Sequence, residues 1–234
     1  MTSVGKAVSN SVKSVSSIVT SNSKMVKMSL AYLIVFLMLP VDSMFGMNVQ
    51  FQVKSTLSQL EEKELVAKSG LLSHRLLNVL EELFDNNLFK GLDGGFIGGF
   101  APLDDEPDWF LDLEKRFGNN FAFPGVDSSG QMVFLQAKKK DLIVKKDFGV
   151  PLYVPPQESL QVTPKLLIIP GLSFGKKGER LGRGKGFYDR FLKKFSGLKV
   201  GVCFNEQIFD DIPMDSSDQY VDYVVTDERA LGPF

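Results

Sequence analysis

Apolar positions along the chain follow two periods, and the switches between them set the order of the elements. From position 57 to about 84, Leu71, Leu72, Leu76, Leu77, Leu80 and Phe84 recur at spacings of three and four, which predicts a helix with one apolar face. "DNNLFKGLDGG" follows as a loop. "GFIGGFAPL" then predicts a short buried strand ending at Pro102, with glycines that let other backbone approach closely. "DDEPDWFLDLEKRFG" predicts a short helix over Trp109, Phe110 and Leu113, N-capped by Asp104 or Asp105 and stopped by Gly118. "NFAFPGV" and "QMVFLQA" predict two strands joined by the turn "DSSG". "KKKDLIVKKDFGVPLYVPP" reads as a basic, proline-ended connection with a solvated charge run. "KLLIIPG" and "LKVGVCF" are apolar throughout, the signature of strands buried on both faces of a parallel sheet. Between them "GFYDRFLKKFSG" predicts a helix closed by Gly197, and "VDYVVTD" is the last strand. Strands alternating with helices imply an α/β fold: a three-layer sandwich with a largely parallel central sheet flanked by helices.

The first 46 residues follow neither period. Positions 1–41 hold no Asp or Glu, are rich in serine and valine, and carry Lys6, Lys13, Lys24 and Lys27. The apolar run "MSLAYLIVFLMLP" is shorter than the ~20 residues a membrane span needs. Residues 1–46 therefore read as a leader: a signal-like segment, an organelle transit peptide, or a mis-called start ahead of Met47. Residues 47–234 are expected to form the folded domain. A cytoplasmic location is expected for it, with organelle targeting or export as the alternative if the leader is real. No stable membrane association is expected of this domain.

Composition narrows the chemistry. The 234 residues are 44% hydrophobic with a formal net charge of −1, so any basic patch is local, and a protein that coats nucleic acid is not expected. One cysteine and one histidine exclude an internal disulfide and a Cys/His zinc cluster. Cys203 lies in an apolar run and reads as a buried thiol. His74 reads as a helix-surface residue, so histidine catalysis is not expected. A metal here would be hard and oxygen-ligated, such as magnesium.

The densest chemistry lies in "GERLGRGKGFYDR", residues 178–190. Gly178, Gly182, Gly184 and Gly186 alternate with Arg180, Arg183 and Lys185 just before a helix. Positions 176–194 hold eight basic side chains against Glu179 and Asp189. Glycine lets backbone approach an anion, a helix start offers N–H groups, and arginine and lysine neutralise charge. The Walker pattern fails, because Glu179 takes its first glycine position and Gly186 follows Lys185. The dinucleotide pattern fails on its spacing. Polyphosphate binding, a mobile solvated turn and nucleic-acid backbone binding all fit the residues alone. Asp189 could pair with Arg190 or Lys193, or serve as a magnesium ligand. Asp215, Asp218 and Asp222 could supply a second oxygen.

"IIPGLSFGKKGERLGRGKGFYDRFL" closely resembles the signature of the 5-formyltetrahydrofolate cyclo-ligase family, also called 5,10-methenyltetrahydrofolate synthetases. "FNEQIFDDIPMDSSDQYVDYVVTDE" resembles the family's C-terminal part. "FAPLDDEPDW" and "FAFPGVDSSGQMVF" resemble its earlier strands, and the resemblance runs over residues 65–234. It implies an enzyme that uses ATP and magnesium to phosphorylate the N5-formyl oxygen of 5-formyltetrahydrofolate. N10 then attacks, giving 5,10-methenyltetrahydrofolate, ADP and phosphate.

The resemblance also implies site residues. Arg180, Leu181, Gly182, Arg183, Gly184, Lys185, Gly186, Phe187 and Tyr188 would wrap the nucleotide, with Lys54 as a further phosphate anchor. Arg183 and Lys185 would lie nearest the transferring phosphoryl group as the catalytic pair. Phe100, Glu106 and the stretch from Arg183 to Phe187 would face the folate. Asp189 and Asp218 would hold magnesium. Trp109 and Phe134 fit either an apolar wall of the site or plain core. The expected partners are a small-molecule folate and ATP, with no nucleic acid, and the protein is expected to be a monomer. Gly175 stands where the family usually has an acid, and Phe187-Tyr188 replaces a Tyr-Tyr pair. Ser58 follows Lys54 where the family has an arginine. That last departure supports the second reading, a non-catalytic folate- or nucleotide-binding relative.

Overall fold

The computed structural model describes residues 41–85, 95–147 and 150–234. The expected leader lies outside the described residues up to position 40, as does the expected loop between 86 and 94. Residues 45–234 make one compact unit.

An eight-stranded sheet forms its centre. The five inner strands run parallel: β1 (Ile97–Gly98), β2 (Phe121–Val126), β7 (Leu166–Pro170), β10 (Leu198–Val202) and β12 (Tyr223–Val225). Antiparallel strands finish both edges: β3 (Met132–Gln136) and β6 (Gln161–Val162) beyond β2, and β13 (Ala230–Leu231) beyond β12. The period of two shows in β7. Leu166 and Ile168 belong to the core on one face, and Leu167 and Ile169 to the core on the other.

The first face is covered by α2 (Glu62–Asp85) through Leu72, Leu76, Leu80 and Leu83, and by α3 (Leu111–Phe117) through Leu113. The second face holds Phe174, Leu192 and Val221, contributed by a small sheet, a short helix and a loop. The small sheet is β8 (Ser173–Gly175), β9 (Arg180–Leu181) and β11 (Ile208–Phe209); the helix is α4 (Phe187–Leu192). Helix α1 (Val41–Leu57) packs Val49, Val53 and Leu57 with Phe204 in a third cluster. No helix among the described residues is long and apolar enough to cross a membrane.

Five expectations change. The helix expected from 57 to 84 is the end of α1, a turn, and then α2 from Glu62. Neither Asp104 nor Asp105 caps α3: the cap is Phe110, and Trp109 and Phe110 precede the helix as core side chains. Trp109 sits flush on Gly99, where a Cβ would collide with its ring, so the close approach expected of these glycines is to an aromatic face. The basic connection is a hairpin, β4 (Ile143–Asp147) with β5 (Val150–Val154). Its apolar members Ile143, Val144 and Tyr153 stay exposed, so no buried face marks it in the sequence. The helix expected to end at Gly197 stops at Leu192. A terminal strand, β13, follows the one expected to be last.

Candidate active site

The loop between β7 and α4 is built in two layers. Its lower layer is closed by backbone bonds: Leu172 N to Leu181 O at 2.8 Å, Gly175 N to Glu179 O at 2.9 Å, and Val221 N to Gly178 O at 2.9 Å. Buried Gln207 ties it to the next strand end, donating from Nε2 to the carbonyls of Gly171 and Leu172 at 3.2 and 3.0 Å. Arg180 belongs to this layer. Its guanidinium is buried, donates to Pro170 O at 3.3 Å, pairs with Asp189 and lies 5.6 Å over the Tyr188 ring. Burial raises the Tyr188 phenol above its usual pKa, and the nearby Glu106 charge adds to this.

The upper layer is exposed and carries Arg183, Gly184, Lys185 and Phe187. Gly184 and Gly186 have φ of +82° and +63°, and nothing lies within 4 Å of where a Cβ on Gly184 would be. This backbone is open to an approaching ligand and depends on glycine for its shape. Arg190 was one of two expected partners of Asp189. It instead donates from Nη1 to Lys185 O at 3.2 Å and lies 5.0 Å over the Phe187 ring. Helix α4 has only six residues, so anion binding here rests on the loop more than on a helix terminus.

The second wall is the loop after β1. Glu106 accepts from Leu103 N at 3.0 Å and from Arg183 Nη2 at 3.1 Å, across 77 positions of sequence. Arg183 Nη2 also donates to Asp105 Oδ1 at 2.7 Å. Burial drives the Glu106 carboxyl above the usual carboxylate range, while Leu103 N–H and the Arg183 charge pull the other way. The meeting has a topological cause. β1 and β7 are parallel neighbours. From β1 the chain moves to β2 on one side, and from β7 to β10 on the other. Their loops thus leave the sheet together at the point where its winding reverses, the usual ligand crevice of such sheets.

A cleft of about 1240 Å³ opens at this wall, with Lys54, Ser58, Asp105, Glu106, Lys139 and Tyr153 among its lining residues. Lys54 is therefore in the same cleft as Glu106. Its helix is docked beside the glycine loop through Leu181, which packs on the cluster of Val49, Val53, Leu57 and Phe204. Phe100 was expected to wall the substrate; it is buried in the core beside Trp109, as is Phe134 in the opposite core. Cys203 is buried, and burial lifts its thiol pKa. His74 is exposed on α2.

Asp189 and Asp218 were expected to share magnesium. Asp189 pairs with Arg180, and Asp218 Oδ2 accepts from Asp215 N at 2.9 Å in an exposed turn. Among the described residues no three Asp, Glu, His or Cys side chains gather as a metal-holding group. The donor chemistry still suits magnesium, which takes one or two carboxylates and fills its other positions with phosphate oxygens and water. Sequence reading missed Asp105, masked by its neighbours in an acidic run. It also missed Lys139, which pairs with Asp108 at 2.7 Å and hides in the basic run.

The 5-formyltetrahydrofolate cyclo-ligase family model matches residues 108–227. Lys54, Phe100 and Glu106 lie ahead of that span. A probable 5-formyltetrahydrofolate cyclo-ligase of Schizosaccharomyces pombe is 33% identical over 141 residues, 52% of this chain and 68% of that one. A mitochondrial 5-formyltetrahydrofolate cyclo-ligase of Arabidopsis thaliana is 40% identical over 73 residues, 26% of each chain. The solution structure of 5,10-methenyltetrahydrofolate synthetase from Aquifex aeolicus superposes with a TM-score of 0.62 at 26% identity, covering 81% of this chain and 93% of that one.

Proposed function

The chain belongs to the 5-formyltetrahydrofolate cyclo-ligase family, and from that premise we propose that it cyclises 5-formyltetrahydrofolate to 5,10-methenyltetrahydrofolate with ATP and magnesium. The observation that carries the reading is the pairing of Arg183, in the open glycine loop, with Glu106 at the neighbouring strand end. The Arg183 cation beside a buried carboxylate supports a phosphate site next to a group able to take ring N–H donors.

A formamide oxygen is a poor leaving group. Phosphorylation makes it a good one; N10 then attacks the formyl carbon, and phosphate departs with that oxygen. The protein chiefly positions two substrates and stabilises charge on the transferring phosphoryl group. Arg183 and Lys185 face that group as the catalytic pair. The backbone of residues 180–188 follows the nucleotide, with Arg180 and Tyr188 fixing its shape from beneath. Lys54 approaches the phosphates from the cleft rim. Glu106 orients the pterin, and the stretch from Gly184 to Phe187 faces it, with Phe100 as backing. Asp189 and Asp218 would hold magnesium, which would supply neutralisation of phosphate charge. The enzyme acts as a monomer on small molecules. It works in the cytoplasm, or in an organelle if residues 1–46 are a transit peptide, an alternative supported by the mitochondrial name of the plant relative.

Absorbance of the methenyl product tests this. Full-length protein with 5-formyltetrahydrofolate, ATP and magnesium should produce it, and omission of any one component should abolish it. Binding of both substrates without product would leave the non-catalytic alternative.

A further inference from the structure

Arg183 is held by two carboxylates that differ in surroundings. Nη2 lies 2.7 Å from Asp105 Oδ1 and 3.1 Å from Glu106 Oε1, and Nε lies 3.3 Å from the same Glu106 oxygen. The Glu106 side chain is only 9% accessible, whereas Asp105 and Arg183 are 38% and 39% accessible. Glu106 is thus the inner partner and Asp105 the outer one. A buried carboxylate that loses its cation is strongly penalised unless other donors replace it. A half-exposed carboxylate is not, because water takes over.

We propose that Asp105 is a positioning residue: with Glu106 it latches Arg183 away from the nucleotide, so that folate and nucleotide bind cooperatively through this one arginine. The inference rests on the function proposed above. Pterin N–H groups placed on Glu106 replace the donors that Arg183 supplies. The arginine then keeps only its outer, solvated partner and can turn to a phosphate. In the other direction, a phosphate that draws Arg183 away leaves Glu106 in need of donors, which a pterin provides. Linkage makes these two statements one coupling free energy. Asp105 contributes to its size because its contact, the shortest of the three, adds to the latch only while Glu106 also holds the arginine; alone, a half-exposed pair is too weak to keep it back.

The test is calorimetric titration of full-length protein with magnesium adenylyl imidodiphosphate, with and without saturating 5-formyltetrahydrofolate. Wild type, Asp105→Asn and Asp105→Ala are compared. In wild type the folate should tighten nucleotide binding, within the roughly 5–150-fold range of coupled sites. In both variants the nucleotide alone should bind roughly 2–5-fold tighter than to wild type, the fold-change equivalent of an exposed ion pair. The further tightening by folate should shrink by the same factor. A merely structural role for Asp105 would not move this ratio. Equal coupling in wild type and both variants overturns the latch, as does a wild type that binds both ligands independently. A wild type that binds neither ligand overturns the proposed function and the latch together.

Discussion

Arg190 shows how a residue's role follows from the atom it reaches. It sits one turn into α4, and its guanidinium braces the carbonyl of Lys185. Lys185→Ala should lower turnover by about 10²–10³, the usual loss for one preorganised contact to developing charge, while nucleotide affinity falls far less. Arg190→Ala should lower turnover by roughly 2–10-fold, the worth of one ordinary hydrogen bond, and Arg190→Lys should recover little of it because an ammonium cannot also stack on Phe187. Steady-state kinetics with nucleotide titration separates the two sites; equal losses at both would deny Lys185 its special position. Glu106 predicts a pH signature. Its carboxyl is raised by burial, so the native state binds this proton more tightly than the unfolded chain does. Stability is then lost as pH rises through and above the ordinary glutamate range. Glu106→Gln should remove that slope, read as melting temperature against pH. A parallel pair of curves would contradict the raised carboxyl.

At the scale of elements, the loops of the candidate site are held by the elements beneath them. The loop that carries Glu106 is fastened to α2 by two serines on its buried face. Ser69 Oγ accepts from Asp108 N at 3.1 Å, and Ser73 Oγ accepts from Asp112 N at 2.9 Å while donating to Trp109 O at 3.1 Å. These serines supply acceptors for N–H groups at and before the start of a short helix, where the helix itself provides none. Ser73→Ala strands a part-buried N–H and a buried carbonyl, and should cost about 1–3 kcal/mol. Chemical denaturation measures that loss, and an unchanged midpoint would mean water fills the gap.

Over the whole unit, the five parallel strands aim their carboxyl ends at one edge. Loops that are distant in sequence converge there: the one after β1 with Glu106, the one after β7 with Arg183 and Lys185, and the one after β10 with Gln207. Helix α1 closes that edge with Val49, Val53 and Leu57, all of which lie after Met47. A chain beginning at Met47 keeps these contacts and should be soluble with one cooperative thermal transition. Aggregation of that chain, with cooperative melting of the full one, would make residues 1–46 part of the domain.

The elements legible in the sequence are those whose burial is uniform or strictly periodic. β7 and β10 are buried on both faces, α2 shows its 3.6-residue stripe, and "DSSG" closes its turn with Asp127 accepting from Ser129 N and Gln131 N. The glycine-rich loop was legible too, because only a special backbone needs that many glycines among cations. The hairpin of β4 and β5 was not, since an exposed ribbon leaves no one-sided apolar pattern. Nor was the partner of any charged residue. Asp104, Asp105 and Glu106 are adjacent acids in the sequence, and how deeply each is buried is decided by the fold. That Arg183 reaches two of the three depends on β1 and β7 being neighbours in the sheet. Strand order is set by how both faces of the whole sheet are covered, and local sequence carries no record of it.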